Sequence, residues 1–537
     1  MVFFLWMQLA LAVSVALLAG RFLWQWFRQI PLRNIPGPPS PSFFIGNMAQ
    51  LWDPLKGWKF HDEIVKNYGR VVRLTGVFGD TMLYVSDPRA LYHVLLKDRH
   101  HFEETDAFMV STSWIFGQGL LSSSGDIHRR HRKLLNPVFS GNSMRCLVPI
   151  FQRVTKDLRD LLAKKVEEEK TELDMTMWMT RLSLELIGQG GLGYTFDALN
   201  ECSTNSYGEA VKNLAPMLSK VAIFFQTVPW LDKIGPRSFR RFVCDNLFSW
   251  WPTFNKLARI VDVMDETTRE VFEHKKAALA QGDDALLHQI GEGRDIMSVL
   301  LKVSLAASEQ DRMSDIELLG QMNALTFAGM DTTTSALSRI FQALAEHPDA
   351  QDKLRAELLE VQIGGQDLTY DELNDLPYLD AITRETLRLY PPFSFIFRST
   401  SADAVLPLTS PMLGLDGSKM SELHIAKDTD IIISILAVNR DPSIWGPDAS
   451  EWKPERWLSP LSASGPSKAG IPGVYSNTGF KFALLEIKVV LSMLVPRLRF
   501  APAQKEIEWL LGPIASPSVK GCAGSMLPLE VSLVKDE

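Results

Sequence analysis

Hydrophobic and polar positions repeat along this chain with two periods, and the periods sort it into a long helical body with short extended stretches. Runs rich in β-branched and aromatic residues read as strands at 71–75 and 81–85, and again at 395–400, 431–435 and 527–533. Between the two groups, apolar residues recur every three to four positions at about 125–138, 145–168, 174–189 and 254–281, the spacing of amphipathic helices. A further helix has a readable start. Ser314 and Glu317 spell S-x-x-E, in which each side chain can satisfy the other residue's backbone N–H. The apolar pattern then runs to His347-Pro348, over thirty residues on, so this helix is expected to cross the whole body. No internal repeat and no low-complexity linker follows residue 42. The pattern predicts a mainly α domain with a small β region.

The start of the chain has a different pattern. Residues 1–20 carry no charge, and only Gln8 and Ser14 are clearly polar. Twenty helical residues span ~30 Å, the thickness of a bilayer's hydrocarbon core. Arg21, Arg28 and Arg33 follow, interleaved with Trp24, Trp26 and Phe27, which predicts a single transmembrane anchor with the rest in the cytosol. A cleaved signal peptide is the competing reading, though it would want a charged start and a shorter apolar run. Residues 21–41 read as a basic, proline-rich hinge ending in Ile35-Pro-Gly-Pro-Pro-Ser-Pro41, and 42–537 as the body.

Composition narrows the function. Charges of 56 and 63 leave a net −7, which gives no global basic field for nucleic acid. The four cysteines, Cys146, Cys202, Cys244 and Cys522, are too few and scattered for a disulfide framework, and no C-x-x-C occurs for a zinc ribbon.

Candidate chemistry lies inside the long helix, at Ala328-Gly-Met-Asp-Thr-Thr333. Glycine and paired threonines weaken a helix, so the segment makes room for something or packs closely. A buried Asp beside a Thr hydroxyl can relay protons into an apolar cavity, and a packing glycine beside a solvated Asp is the plainer alternative. Glu385-Thr-Leu-Arg388 is an i,i+3 acid–base pair that Arg456, in Pro454-Glu-Arg-Trp457, could join as a buried triad. His128-Arg-Arg-His-Arg-Lys133 forms a basic helix with His128 and Arg132 on one face, suited to carboxylates or an acidic partner.

In this order and spacing the segments resemble the cytochrome P450 family of haem-thiolate monooxygenases, in the style of fungal microsomal members. The resemblance rests on the anchor and proline hinge, His128-x-x-x-Arg132, Ala328-Gly-Met-Asp-Thr-Thr333, Glu385-Thr-Leu-Arg388, Pro391-Pro392 with Arg398, and Pro454-Glu-Arg-Trp457. It implies the cytochrome P450 fold behind one transmembrane helix, in the endoplasmic reticulum membrane. It also implies haem b, an NADPH-dependent flavin reductase as partner, and a lipophilic small-molecule substrate. By position, Asp331 and Thr332 match the acid–alcohol pair that supplies protons during oxygen activation. His128, Arg132 and Arg398 match donors to the haem propionates, and Glu385, Arg388 and Arg456 match the structural triad beneath the haem. The basic helix would help dock the reductase. Aromatic stretches at 108–116, 224–230 and 393–397 match substrate-cavity walls, with plain core packing as the alternative.

One departure matters. The family's haem-ligand motif, F-x-x-G-x-R-x-C-x-G, belongs directly before a long helix, and its cysteine thiolate ligates the iron. Here the chain reads Gly473-Val-Tyr-Ser-Asn-Thr-Gly-Phe-Lys-Phe-Ala-Leu-Leu-Glu486, so the axial cysteine is missing between Asn477 and Phe480. Cys522-Ala-Gly524 imitates the C-x-G ending, but a strand-like run follows it where a helix should be. Tyr475 could ligate haem in principle, yet nothing around it supports that role. Intact flanks around a missing loop point to an excised coding segment, or else to a non-catalytic remnant of the family.

Overall fold

The computed structural model of the chain describes residues 30–201, 206–236, 251–281, 290–291, 293–362, 365–458 and 479–534, with a few single positions besides. The anchor expected at 1–20, apart from its last residue, lies outside the described residues, as do residues 459–478. Among the described residues, no helix is long and apolar enough to cross a membrane.

The body is mainly helical. Its longer helices are α1 (Gly57–Tyr68), α2 (Asp106–Phe116), α3 (Gly125–Leu135), α4 (Gly141–Glu167), α5 (Met175–Leu186) and α6 (Ser206–Phe225). They continue with α7 (Pro252–Gln281), α8 (Ile296–Ala306), α9 (Asp315–Glu346), α10 (Pro348–Val361), α11 (Pro377–Leu389) and α12 (Phe480–Leu494). The first strands are β1 (Val71–Thr75), β2 (Thr81–Val85), β3 (Phe102–Glu103) and β4 (Glu172–Asp174). Next come β5 (Phe395–Thr400), β6 (Ala404–Leu413), β7 (Lys419–Ile425) and β8 (Asp430–Ser434). The last are β9 (Leu498–Pro502), β10 (Ile507–Leu510), β11 (Ser516–Val519) and β12 (Pro528–Leu533). The main sheet has the order β1-β2-β8-β5-β3, and smaller sheets pair β6-β7, β10-β11 and β4-β12-β9. Early and late strands therefore meet, with β2 parallel to β8. The strand expected at 431–435 ends one residue sooner, because the Ser434 hydroxyl accepts from Ala437 N (3.1 Å) and caps a short helix there.

Helix α9 organises the rest. Its cap forms as the spacing predicts: Ser314 Oγ accepts from Glu317 N (3.3 Å), and Glu317 Oε2 accepts from Ser314 N (2.8 Å). The helix runs 32 residues, about 48 Å, and stays α-helical through Ala328–Thr333. It packs on α5, α7, α11 and α12. Met322, Met330, Leu337, Ile340, Phe341 and Leu344 on α9 are fully buried in the largest core. Gly320 lets the turn between α2 and α3 close on α9, since a Cβ there would stand 2.1 Å from Gln118 O. The proline segment is docked as well. Pro36 O accepts from Arg73 N of β1 (3.0 Å), and Leu32 and Ile35 are buried in the core beside the main sheet.

Candidate active site

A helix buried along almost all its length opens on one side. Leu325, Ala328, Gly329 and Thr332 of α9 are partly accessible, whereas Thr326, Met330 and Thr333 are buried. Spacings of three and four put the first set on a single face. Asp331, at the edge of that face, is enclosed by protein yet partly accessible, and no hydrogen-bond partner meets it among the described residues. Its carboxyl is thus desolvated with nothing in the described protein to satisfy it. Burial pushes its pKa up to about 8. The Thr332 hydroxyl donates to Ala328 O (2.6 Å), which leaves its oxygen open as an acceptor. Gly329 is a packing glycine: a Cβ would lie 3.0 Å from Ile187 Cδ1, just beyond α5. On the buried side, Thr333 Oγ1 donates to Glu486 Oε2 of α12 (2.9 Å). Glu486 Oε1 has no partner, and burial raises the pKa of this carboxyl well above its usual range.

The basic helix α3 divides its charges between two tasks. Arg130 pairs with Glu317, His131 Nε2 lies 3.0 Å from the same carboxylate, and Lys133 reaches Asp311 at 2.8 Å. Those three tie α3 to the start of α9. Exposed Arg129 pairs with Asp126. The charge facing outward is thus smaller than the sequence suggests. His128 senses other cations. Burial lowers its pKa first, and the charges of Arg132, His131, Arg99 and Arg398 lower it further. Cations from α3, β5 and the turn before β3 therefore converge, an arrangement that attracts an anion. Arg398 is partly balanced by Glu104 (2.7 Å).

Glu385, Arg388 and Arg456 come together as one network. Arg388 grips Glu385 through Nε and Nη2, both at 2.8 Å, and neither side chain is exposed. Its other N–H groups reach the carbonyls of Asn439 (2.6 Å), Ala449 (2.7 Å) and Glu451 (3.3 Å). Glu385 also accepts from Arg456 Nε (3.2 Å), Trp457 Nε1 (2.9 Å) and Lys453 N (3.1 Å). One buried acid thus pins the loop at 439–457 to helix α11.

The cytochrome P450 family model matches residues 36–513. A cytochrome P450 monooxygenase, number 212, of Postia placenta is 46% identical over 99% of both chains. A ganoderic acid synthetase of Ganoderma lucidum is 43% identical over 91% of both. The chain belongs to the cytochrome P450 family. By that kinship it is a monooxygenase, an oxidoreductase.

For a P450 the residues present fit haem on one side only. The accessible face of α9 and the cations around His128 suit a flat group bearing two carboxylates. The axial position does not fit. Cys146 and Cys522 are exposed free cysteines, Cys522 sits in a turn beyond β11, and the sequence has no cysteine between Trp457 and Phe480. Cys202, Cys244 and Tyr475 lie outside the described residues.

The aromatic stretches separate. Phe224 lines an apolar cavity of about 380 Å³ with Phe44, Val77, Phe78 and Trp251. Phe116 packs against Phe327 of α9, with ring centres 5.2 Å apart. Phe395 and Phe397 instead pack around Trp52 at 4.8 and 6.1 Å, as ordinary core. Arg99, Glu104 and Glu486 belong to none of the motifs visible in the sequence. Of these only Glu486 has a signal, as the one acid on a helix that is apolar apart from it, Lys481, Lys488 and Ser492.

Proposed function

We propose that this fold is built for haem-dependent monooxygenation, in which one atom of dioxygen enters a lipophilic small molecule and an NADPH-dependent flavin reductase supplies electrons. The observation that carries the reading is the unpartnered, enclosed Asp331 beside Thr332 on the accessible face of α9. Haem, when bound, supplies the oxygen-activating centre. The chain's own part is to hold its carboxylates through His128, Arg132 and Arg398, and to hold a proton at Asp331. With a pKa of about 8, that carboxyl is mostly protonated at neutral pH and can donate toward the Thr332 hydroxyl. The Glu385 network would brace the loop beneath the haem.

A second reading is favoured by one observation: a chain without the axial cysteine cannot provide thiolate ligation. We propose that a coding segment is missing here. The alignment with the first Postia relative spans 543 positions, more than the 537 residues of this chain, so that relative has at least six residues with no counterpart here. Sequencing the transcript across residues 473–486 tests this. The expected result is a form that carries the loop, and a sole transcript without it would exclude a gene-model error. Haem content of the purified chain separates the two further.

The proposed location is the cytosolic face of the endoplasmic reticulum, anchored by residues 1–20 with a basic and proline-rich link over 21–41. Exposed Phe43, Phe44 and Phe78 cluster edge-to-face where that link enters the body, and two of them line the 380 Å³ cavity. An exposed aromatic rim around an apolar cavity suits a lipid surface. Retention in membranes after alkaline extraction, lost on deleting residues 1–29, is the expected result.

A further inference from the structure

Strands β6 and β7 end in an apolar tip. Leu413 and Leu415 are 60% and 66% exposed, among the most open large apolar side chains described. Single exposed leucines are ordinary, but two that flank one glycine concentrate apolar surface at one spot. The turn that carries them is latched. Asn34 O accepts from Leu415 N (2.8 Å), and Asn34 Oδ1 accepts from Asp416 N (3.0 Å). Asn34 Nδ2 donates to Asp416 Oδ1 (2.9 Å) and Ser418 Oγ (3.0 Å). Gly414 makes room for that amide, since a Cβ there would stand 2.3 Å from Asn34 Nδ2. Below the latch, Leu32 and Ile35 are buried in one core with Leu406 and Leu408 of β6 and Leu423 and Ile425 of β7.

Asn34 ends a short 3₁₀ helix that begins at Ile30, itself 47% exposed. That helix rises only about 8 Å, so a third apolar side chain lies near the latch. Nine residues, 21–29, then separate Ile30 from the uncharged run at 1–20. Even fully extended they reach no more than about 35 Å, which keeps the tip close to whatever holds that run. Hydrogen bonds from Ser418 and Asn34 hold the pKa of Asp416 down at about 2, so the tip keeps an anion that will not enter lipid tails. We infer that the β6–β7 tip is a second membrane contact, in which Leu413 and Leu415 enter a bilayer at the level of its headgroups. The inference rests on the reading of residues 1–20 as an anchor, and it deepens that reading. Asn34 turns the proline-rich link into a latched joint, which sets the side of the body that faces the lipid.

Photolabelling of the full chain in phosphatidylcholine vesicles tests this, with a diazirine placed in the lipid acyl chain near its glycerol end. Adducts mapped by mass spectrometry should fall on residues 1–20 and on 411–415. Replacing both leucines, Leu413→Ser with Leu415→Ser, should lower the hairpin adducts at least about tenfold and leave the anchor adducts unchanged. Both side chains are exposed, so this variant keeps the core intact. Asn34→Ala should free the turn and lower the hairpin adducts several-fold, again with the anchor adducts unchanged. Anchor adducts without hairpin adducts, the pattern of a tip covered by water or by a second copy of the chain, would overturn the second contact while the anchor stood. Hairpin adducts that survive the double substitution would overturn it too. Absence of adducts at both places would contradict anchor and tip together.

Discussion

Arg388 and Arg339 are two arginines drawn into the same helical body, and their surroundings differ in kind. Arg388 spends every N–H: two on Glu385 and three on the carbonyls of Asn439, Ala449 and Glu451. Arg339 has two aromatic faces and one long bond to an amide. Asp331, on the same helix as Arg339, is likewise unmet, whereas Glu385 accepts from five donors. Burial alone therefore does not mark function. A buried charge with every partner built in holds the fold together. A buried charge left with few or no partners carries a desolvation cost that the fold does not offset.

Four substitutions probe that contrast. Removing the hub has the largest effect: Glu385→Ala strands Arg388 and Arg456, and thermal or denaturant unfolding should show a loss of about 3–5 kcal/mol, or no soluble protein at all. Arg388→Lys keeps the charge but cannot reach three carbonyls and a bidentate acid at once, so a loss of about 2 kcal/mol is expected in the same assay.

On the open face the signature is pH dependence. The folded pKa of Asp331 is raised from 3.8 to about 8, so the folded state binds a proton that the unfolded state releases. Its contribution is fully present below pH ~4 and is lost as pH rises toward ~8. Asp331→Asn should flatten unfolding free energy across that window. The smallest effect is expected at Arg339. Its ring contacts and its unmet donors oppose one another, so Arg339→Gln should shift stability by no more than ~1 kcal/mol. A loss there as large as at Glu385 would end the comparison.

Local rules made part of this legible. The Ser314–Glu317 cap, the strand at 71–75 and the long helix follow from spacing alone and form as read. Glu385, Arg388 and Arg456 were visible as a possible triad, but Trp457 and the Lys453 N–H were not, because those contacts bridge about seventy residues. The basic helix looked like a free patch. In the fold Arg130, His131 and Lys133 are committed to Glu317 and Asp311, acids nearly two hundred residues away. Arg339 sits in the sequence as an unremarkable charge on an apolar helix. Only the fold brings Tyr390 and Trp509 onto its two faces. Strands β6, β7, β10 and β11 escaped as well, since prolines and exposed polar residues blur their alternation.

We propose that this cytochrome P450 keeps an unmet acid at Asp331, the cations around His128 and the loop pinned by Glu385, but lacks the cysteine thiolate that would complete a haem site. The most direct test is the spectrum of the purified, reduced chain with carbon monoxide, beside a version carrying an F-x-x-G-x-R-x-C-x loop inserted before Gly479. The chain as it stands should show no thiolate-type Soret band, and the band should appear once the loop is restored. A thiolate-type band from the chain as it stands would contradict it.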